Sequence, residues 1–245
     1  MGQINKHYFV NVSYDGTNFH GWAKQLNLRT VQQEIENVLT KICDEKISIF
    51  CAGRTDTYVH ALGQCFDFKT KKDWKPKNLQ LALNALLPND IHINRVKCVD
   101  NKFHSRFNAV SKTYLYVINK HFDIFKQNYE LFYNKEISLK KIKPAINLLV
   151  GKHNFLSFSR AENNDTVRTI NFIKIKKTNS YTRLYINGNG FLRNMVRMIV
   201  GNLLAINENR KSLDDIKKLL DDPKKGTSVD KVKGCGLYLY KVFYG

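Results

Sequence analysis

The chain has 245 residues, enough for one large domain or two ordinary ones, and 43% of them are apolar, so a core can form without metal or disulfide staples. The 40 Lys and Arg against 21 Asp and Glu leave a formal net charge of +19, more than solubility asks for, which implies an anionic partner. Cys43, Cys51, Cys65, Cys98 and Cys235 fall singly, with no Cys-x-x-Cys pair. The chain also opens on polar Gly2-Gln3-Ile4-Asn5-Lys6 and holds no apolar run of about 18 residues. Neither zinc, disulfides, secretion nor a membrane span is expected, and a reduced, soluble, cytoplasmic protein is.

Taken in chain order, Tyr8 to Tyr14 is aromatic and β-branched and runs into Asp15-Gly16, which predicts a strand entering a turn. A loop follows from Phe19 to Gln25. Thr30 and Gln33 have the spacing of a capping box, and Val31, Ile35, Val38, Leu39 and Ile42 form a helical apolar stripe. Strands are predicted over Ile47 to Ala52 and Cys65 to Lys69, then a helix over Leu79 to Leu87 and a strand over Ile91 to Cys98. The pattern then restarts: a strand at Thr113 to Ile118, a helix at Leu139 to Leu149 interrupted by Pro144, and strands at Thr169 to Lys176 and Thr182 to Asn187. A long helix from Phe191 to Ile206, a short one from Leu213 to Leu220 capped by Ser212, and a strand from Leu237 to Phe243 complete the chain.

This order predicts an α+β fold of two split β-α-β halves, residues 1–108 and 109–245, with helices on one side of the sheet and a binding surface on the other. No clear sequence repeat links the halves, so duplication is read from the order of elements alone.

The densest polar chemistry is Gly53-Arg54-Thr55-Asp56, at the end of a buried-looking strand. An Arg near a carboxylate keeps it ionised, as a nucleophile or base requires; by spacing alone, Asp56 could equally bond local amides in a structural turn. Phe191 to Val200 is apolar nearly all round yet carries Arg193 and Arg197. In a buried helix at least one of them should meet an anion, with Asp56 a candidate, unless they snorkel to solvent. Alternation places Tyr114 and Tyr116 on one sheet face, where one of them faces a cleft or both simply pack. The aromatics, 12 Tyr, 15 Phe and 2 Trp, offer stacking faces for unpaired bases as well as core.

Three other signals fail. Asp15-Gly16-Thr17 has Ser13 where a haloacid-dehalogenase-type nucleophile would stand. Gly188-Asn189-Gly190 lacks the third Gly and the Lys of a phosphate loop, and His153 with Ser157 has no nucleophile elbow around the serine.

Five stretches together resemble the TruA family of tRNA pseudouridine synthases, in that family's order and over nearly the whole chain. They are Tyr14-Asp15-Gly16-Thr17-Asn18-Phe19-His20-Gly21-Trp22, Gly53-Arg54-Thr55-Asp56, Phe103-His104-Ser105-Arg106-Phe107, Lys112-Thr113-Tyr114, and Gly190 through Gly201. The resemblance implies that Asp56 is the catalytic aspartate, Tyr114 the tyrosine that stacks on the target base, and Arg197 the arginine that pairs with the aspartate. Arg54 would handle the flipped nucleotide, and Leu237 would be an apolar contact to it. It further implies two ferredoxin-like halves joined into one extended antiparallel sheet, an RNA-binding cleft, a homodimer, the anticodon arm of tRNA as substrate, and no cofactor or metal. Ala23 stands where the family usually has Gln, and Lys231-Val232-Lys233-Gly234-Cys235 replaces a more Pro/Ala-rich approach to Leu237. Two rival readings are a noncatalytic RNA-binding protein or chaperone, which would need the charge but not Asp56, Tyr114 and Arg197 together, and a hydrolase, which would need a second acid or a metal site.

Overall fold

The computed structural model describes residues 6–160 and 165–245. Its strands are mostly antiparallel, and five α-helices lie among the described residues. The chain divides into two compact units, Met1–Val110 with Tyr238–Gly245, and Ser111–Leu237.

The first unit is built on β1 (Lys6–Tyr14), β3 (His60–Thr70) and β4 (Ile91–Cys98), with β1 antiparallel to both others. Strand β2 (Phe50–Cys51) pairs with β3 at Asp67 and Phe66, and the last strand, β10 (Leu237–Tyr244), runs parallel to β3 through Tyr238 opposite His60. Period-two alternation sorts the side chains of β1. Tyr8 stacks on Phe68, and Tyr14 meets Trp22, which in turn meets Phe66. On the opposite side Phe9 packs edge-on against Phe103 and Tyr244, so part of that face is covered by the segment after β4. Helix α1 (Val31–Cys43) buries Val31, Ile35 and Leu39 and packs against α2 (Pro76–Leu86), which buries Leu79 and Leu83 and lies on β4. Pro76 suits the first turn of α2, where its missing N–H has no helical partner to lose.

In the second unit β5 (Ala109–Asn119), β9 (Tyr181–Gly188), β8 (Val167–Lys177) and β7 (Gly151–Asn154) form an antiparallel series in that order. The two-residue strand β6 (Leu131–Phe132) adds in parallel to β5. Thr182, Leu184 and Ile186 of β9 are buried while Tyr181, Arg183 and Tyr185 are half-buried, the alternation of a sheet with one core face. Helix α3 (Leu139–Leu149) runs through Pro144, because Ile142, Ala145, Ile146 and Leu149 bury one continuous face against its neighbours α4 (Met195–Asn207) and α5 (Leu213–Asp221).

Four sequence expectations are corrected. The strand expected over Ile47 to Ala52 shrinks to β2. Thr30 sits at the N-cap of α1 but accepts no capping bond: its hydroxyl is buried without a partner, and Gln33 bonds Asn37 instead. Strand β3 begins at His60, five residues before the expected start, because Ala61 to Gln64 pair with β1 in spite of Gly63. Helix α4 begins at Met195 rather than Phe191, since Asn194 turns left-handed at φ 64°. Arg193 is therefore outside the helix and exposed. At α5 the cap is complete, with Ser212 and Asp215 bonding reciprocally.

Candidate active site

Asp56 lies in the loop between β2 and β3, and several braces on that loop come from elsewhere in the first unit. Gln64 Nε2 donates to the Gly53 carbonyl at 2.6 Å, and the Trp22 amide donates to the Thr55 carbonyl at 3.1 Å. The Thr55 hydroxyl and the Tyr14 phenol share a buried 2.7 Å hydrogen bond. Inside the loop the Val59 amide donates to the Asp56 carbonyl at 3.2 Å, and Tyr58 turns left-handed at φ 63°, a costly conformation for a bulky residue. Burial pushes the Tyr14 phenol far above its ordinary range, only partly offset by bonds to Thr55 and Gln64, so it stays a neutral hydroxyl. Thr55 is buried, Asp56 half-buried and Arg54 exposed.

The run from Tyr14 to Trp22 folds over this loop. Gly21 has φ +90°, and a Cβ there would lie 2.6 Å from the Thr55 carbonyl oxygen and 3.2 Å from the Asp56 carbonyl carbon. Gly16 is tighter still, with a Cβ falling 2.2 Å from the Val59 carbonyl oxygen, and its amide donates to His60 Nδ1 at 2.9 Å. Backbone of one segment thus rests directly on backbone of the other, which only glycine allows. His60 in turn lies flat against Tyr238 of β10, with ring centroids 4.7 Å apart. Tyr14, Gln64 and His60 were not singled out from the sequence. His60 opens the strand that follows the Asp56 loop, whereas Tyr14 closes β1 and Gln64 lies inside β3.

In the second unit Tyr114 of β5 is nearly buried and meets Phe191 edge-to-face at 5.0 Å. Arg197 is half-buried on the otherwise buried helix α4; its Nε donates to the Val232 carbonyl at 2.9 Å and its Nη1 to Asn194 Oδ1 at 3.2 Å. The Val232 amide returns a bond to the Arg197 carbonyl, and a Cβ on Gly201 would fall 2.6 Å from the Asp230 carbonyl oxygen, so residues 230–232 lie close along α4. Tyr116 donates to the Lys233 carbonyl at 2.7 Å and is kept neutral by burial, with the Cys235 thiol adding to the effect and Arg197 opposing it. Leu237 is buried, its amide bonded to the Gly234 carbonyl. Arg54 and Asp56 therefore share one braced loop, and Tyr114, Arg197 and Leu237 belong to the other unit. Among the described residues no group of three His, Cys, Asp or Glu side chains could hold a metal ion.

A family model described as tRNA pseudouridine synthase matches residues 10–108 and 145–245. The chain belongs to the tRNA pseudouridine synthase family. It is 50% identical to tRNA pseudouridine synthase A of Malacoplasma penetrans over 240 residues, covering 97% of this chain and 99% of that one. With the Ureaplasma parvum enzyme of the same name the identity is 46% over 240 residues, with the same coverage, and with that of Bacillus velezensis it is 39% over 239 residues, covering 95% and 97%. As a member of the family the chain is an isomerase that acts on tRNA. Arg54, Asp56, Arg197 and Leu237 lie inside the matched spans, and Tyr114 lies outside them.

Proposed function

We propose that the protein converts uridine to pseudouridine in the anticodon arm of tRNA, with Asp56 as the nucleophile. The observation that carries this reading is Asp56 itself, a half-buried carboxylate whose loop is held by Trp22, Gln64 and Tyr14 in a chain of this family. A catalytic group must hold its position to a fraction of an ångström, and a loop braced at the Gly53 and Thr55 carbonyls just before Asp56 serves that need.

The target nucleotide flips out of its stack to reach the carboxylate. The C1′–N1 bond breaks with its electron pair leaving on the uracil. An Asp56 oxygen then either bonds to C1′ or takes the 2′ proton to give a glycal. The detached uracil turns and C5 bonds to C1′, as the Asp56–C1′ bond breaks and returns the carboxylate in the first route, or as Asp56 gives the proton back to C2′ in the second; the C5 proton then departs to a base while N1 gains one. In this reading Tyr114 stacks on the uracil and prevents its escape, and its hydroxyl serves the proton transfer. Arg197 keeps Asp56 charged and oriented. Arg54, exposed on the same loop, meets the phosphate of the flipped nucleotide, and Leu237 contacts its apolar side. The same reading has the protein act as a homodimer in the cytoplasm, without metal or cofactor. The first unit's strand order β4-β1-β3-β2 supports a ferredoxin-like half.

Tritium release from C5-labelled uridine in tRNA is the test. Asp56→Asn is expected to bind tRNA as the wild type does and to release none. Turnover by that variant, with contaminating enzyme excluded, would overturn the assignment.

A further inference from the structure

The stretch Phe103-His104-Ser105-Arg106-Phe107 plays no part in the chemistry above, yet the first unit spends buried polar groups on fixing it. Asp67 of β3 is almost fully buried; its Oδ1 accepts the Ser105 amide at 2.6 Å, and its Oδ2 lies 2.9 Å from His7 Nε2. His7 Nδ1 donates to the Asp100 carbonyl at 2.9 Å, so the histidine is tied at both nitrogens and pins the chain on either side of Phe103. Tyr244 donates to the Ser105 carbonyl at 2.9 Å. The turn is closed internally as well: the His104 amide donates to Asn108 Oδ1, the Asn108 amide to the His104 carbonyl, and the Arg106 amide to His104 Nδ1.

What this anchorage displays is a run of rings facing solvent. Phe50 is 53% exposed and Phe107 75% exposed, and His104 joins them at ring-centroid distances of 5.3 Å and 4.4 Å. Each ring is tilted by about 50° to the next, and among the described residues none lies flat on either phenylalanine. The Arg106 guanidinium sits 5.7 Å from the Phe107 ring. Single exposed apolar side chains are ordinary. Two large rings bridged by a third, flanked by a guanidinium and held by a buried His–Asp pair, are costly to build and to keep wet.

We propose that Phe50, His104, Phe107 and Arg106 form a stacking platform for an unpaired base of the bound tRNA other than the target uridine. Aromatic faces beside an arginine suit bases, and a net charge of +19 brings a polyanion rather than an apolar protein surface to them. Phe50 is six residues from Asp56, at most about 20 Å of chain. One RNA arm can therefore occupy both. The inference rests on tRNA being the substrate and names a second contact to it.

The test is binding of a tRNA transcript by Phe50→Ala/Phe107→Ala, measured across a salt series, with Phe107→Ala and Phe107→Trp alongside. The double variant is expected to raise Kd on the order of tenfold, with the same dependence on salt, because a stacking contact rather than a phosphate contact is removed. Phe107→Trp should bind as the wild type does, and thermal midpoints should stay together. An unchanged Kd in the double variant would sink the proposal. So would unchanged tRNA binding with a loss of oligomer mass, which would make the platform a contact between copies. Tritium release by the wild type is scored separately, so failure of the isomerase reading would not be mistaken for failure of the platform.

Discussion

The loop around Asp56 and the turn before α4 both place a charged side chain within three residues of a left-handed, non-glycine residue, Tyr58 in one case and Asn194 in the other. They are stabilised in opposite ways. The Asp56 loop is held from a distance, by Trp22, Gln64 and Tyr14, and by glycines whose missing side chains let two backbones touch. The Asn194 turn is largely held by its own neighbours: the Met195 amide reaches the Leu192 carbonyl, the Met198 amide reaches the Asn194 carbonyl, and Asn194 itself accepts from Arg197. Rigidity at the first position is a property of the whole unit, and at the second largely of a few consecutive residues.

The largest effect that would break this contrast is expected at Gly21, far in sequence from Asp56. Gly21→Ala should destabilise the protein by about 2–3 kcal/mol in urea unfolding, from the positive φ and the contact with the Thr55 carbonyl. It should also lower kcat roughly tenfold by shifting the Asp56 backbone. An unchanged kcat would mean that the loop is not positioned from outside. At the local turn, Asn194→Ala should cost about 1 kcal/mol for the left-handed backbone, whereas Asn194→Gly should keep stability and lose only the side-chain bond to Arg197. Comparing their tritium-release rates separates strain from orientation.

Two smaller effects concern helix starts. Ser212→Ala should lower stability by about 1 kcal/mol by removing a working cap. Thr30→Val at the equivalent position of α1 should be neutral or slightly stabilising, because its hydroxyl is buried without a partner.

Acid should reach the second region through Asp230. Burial raises that carboxyl, but hydrogen bonds from Arg210 and Lys211 outweigh it and hold the group below its usual range. A carboxylate depressed on folding contributes stability above its unfolded pKa and loses it as pH falls through the folded one. The loss should therefore appear below roughly pH 4, and Asp230→Asn should flatten it in an acid-unfolding titration.

The same contrast explains what the sequence disclosed. Helix α5 was legible from Ser212 onward, and α1 from its stripe, because local spacing decides both. The start of α4 was not, since nothing at Phe191 marks a turn that depends on Asn194 adopting φ 64°. The early start of β3 was masked by Gly63 in Ala61-Leu62-Gly63-Gln64, although β1 pairs with that stretch. Two-residue strands such as β6 carry too few positions to show a period. At the site, Asp56 stood out as an acid in a polar run after a strand, while its support Tyr14 read as an ordinary strand residue and Gln64 fell just outside the expected strand. Their roles arise from register, which no local pattern encodes.

The parallel pairing of β10 with β3 has a consequence for how the molecule comes into being. His60, the first residue of β3, is joined to Tyr238, so the edge beside the Asp56 loop is closed by a strand that follows the entire second unit in the chain. A contact across that much chain forms late and slowly, and the sheet of the first unit is completed only after the second unit has been synthesised. Until then the growing polypeptide carries Asp56 on an unfinished scaffold with an open strand edge.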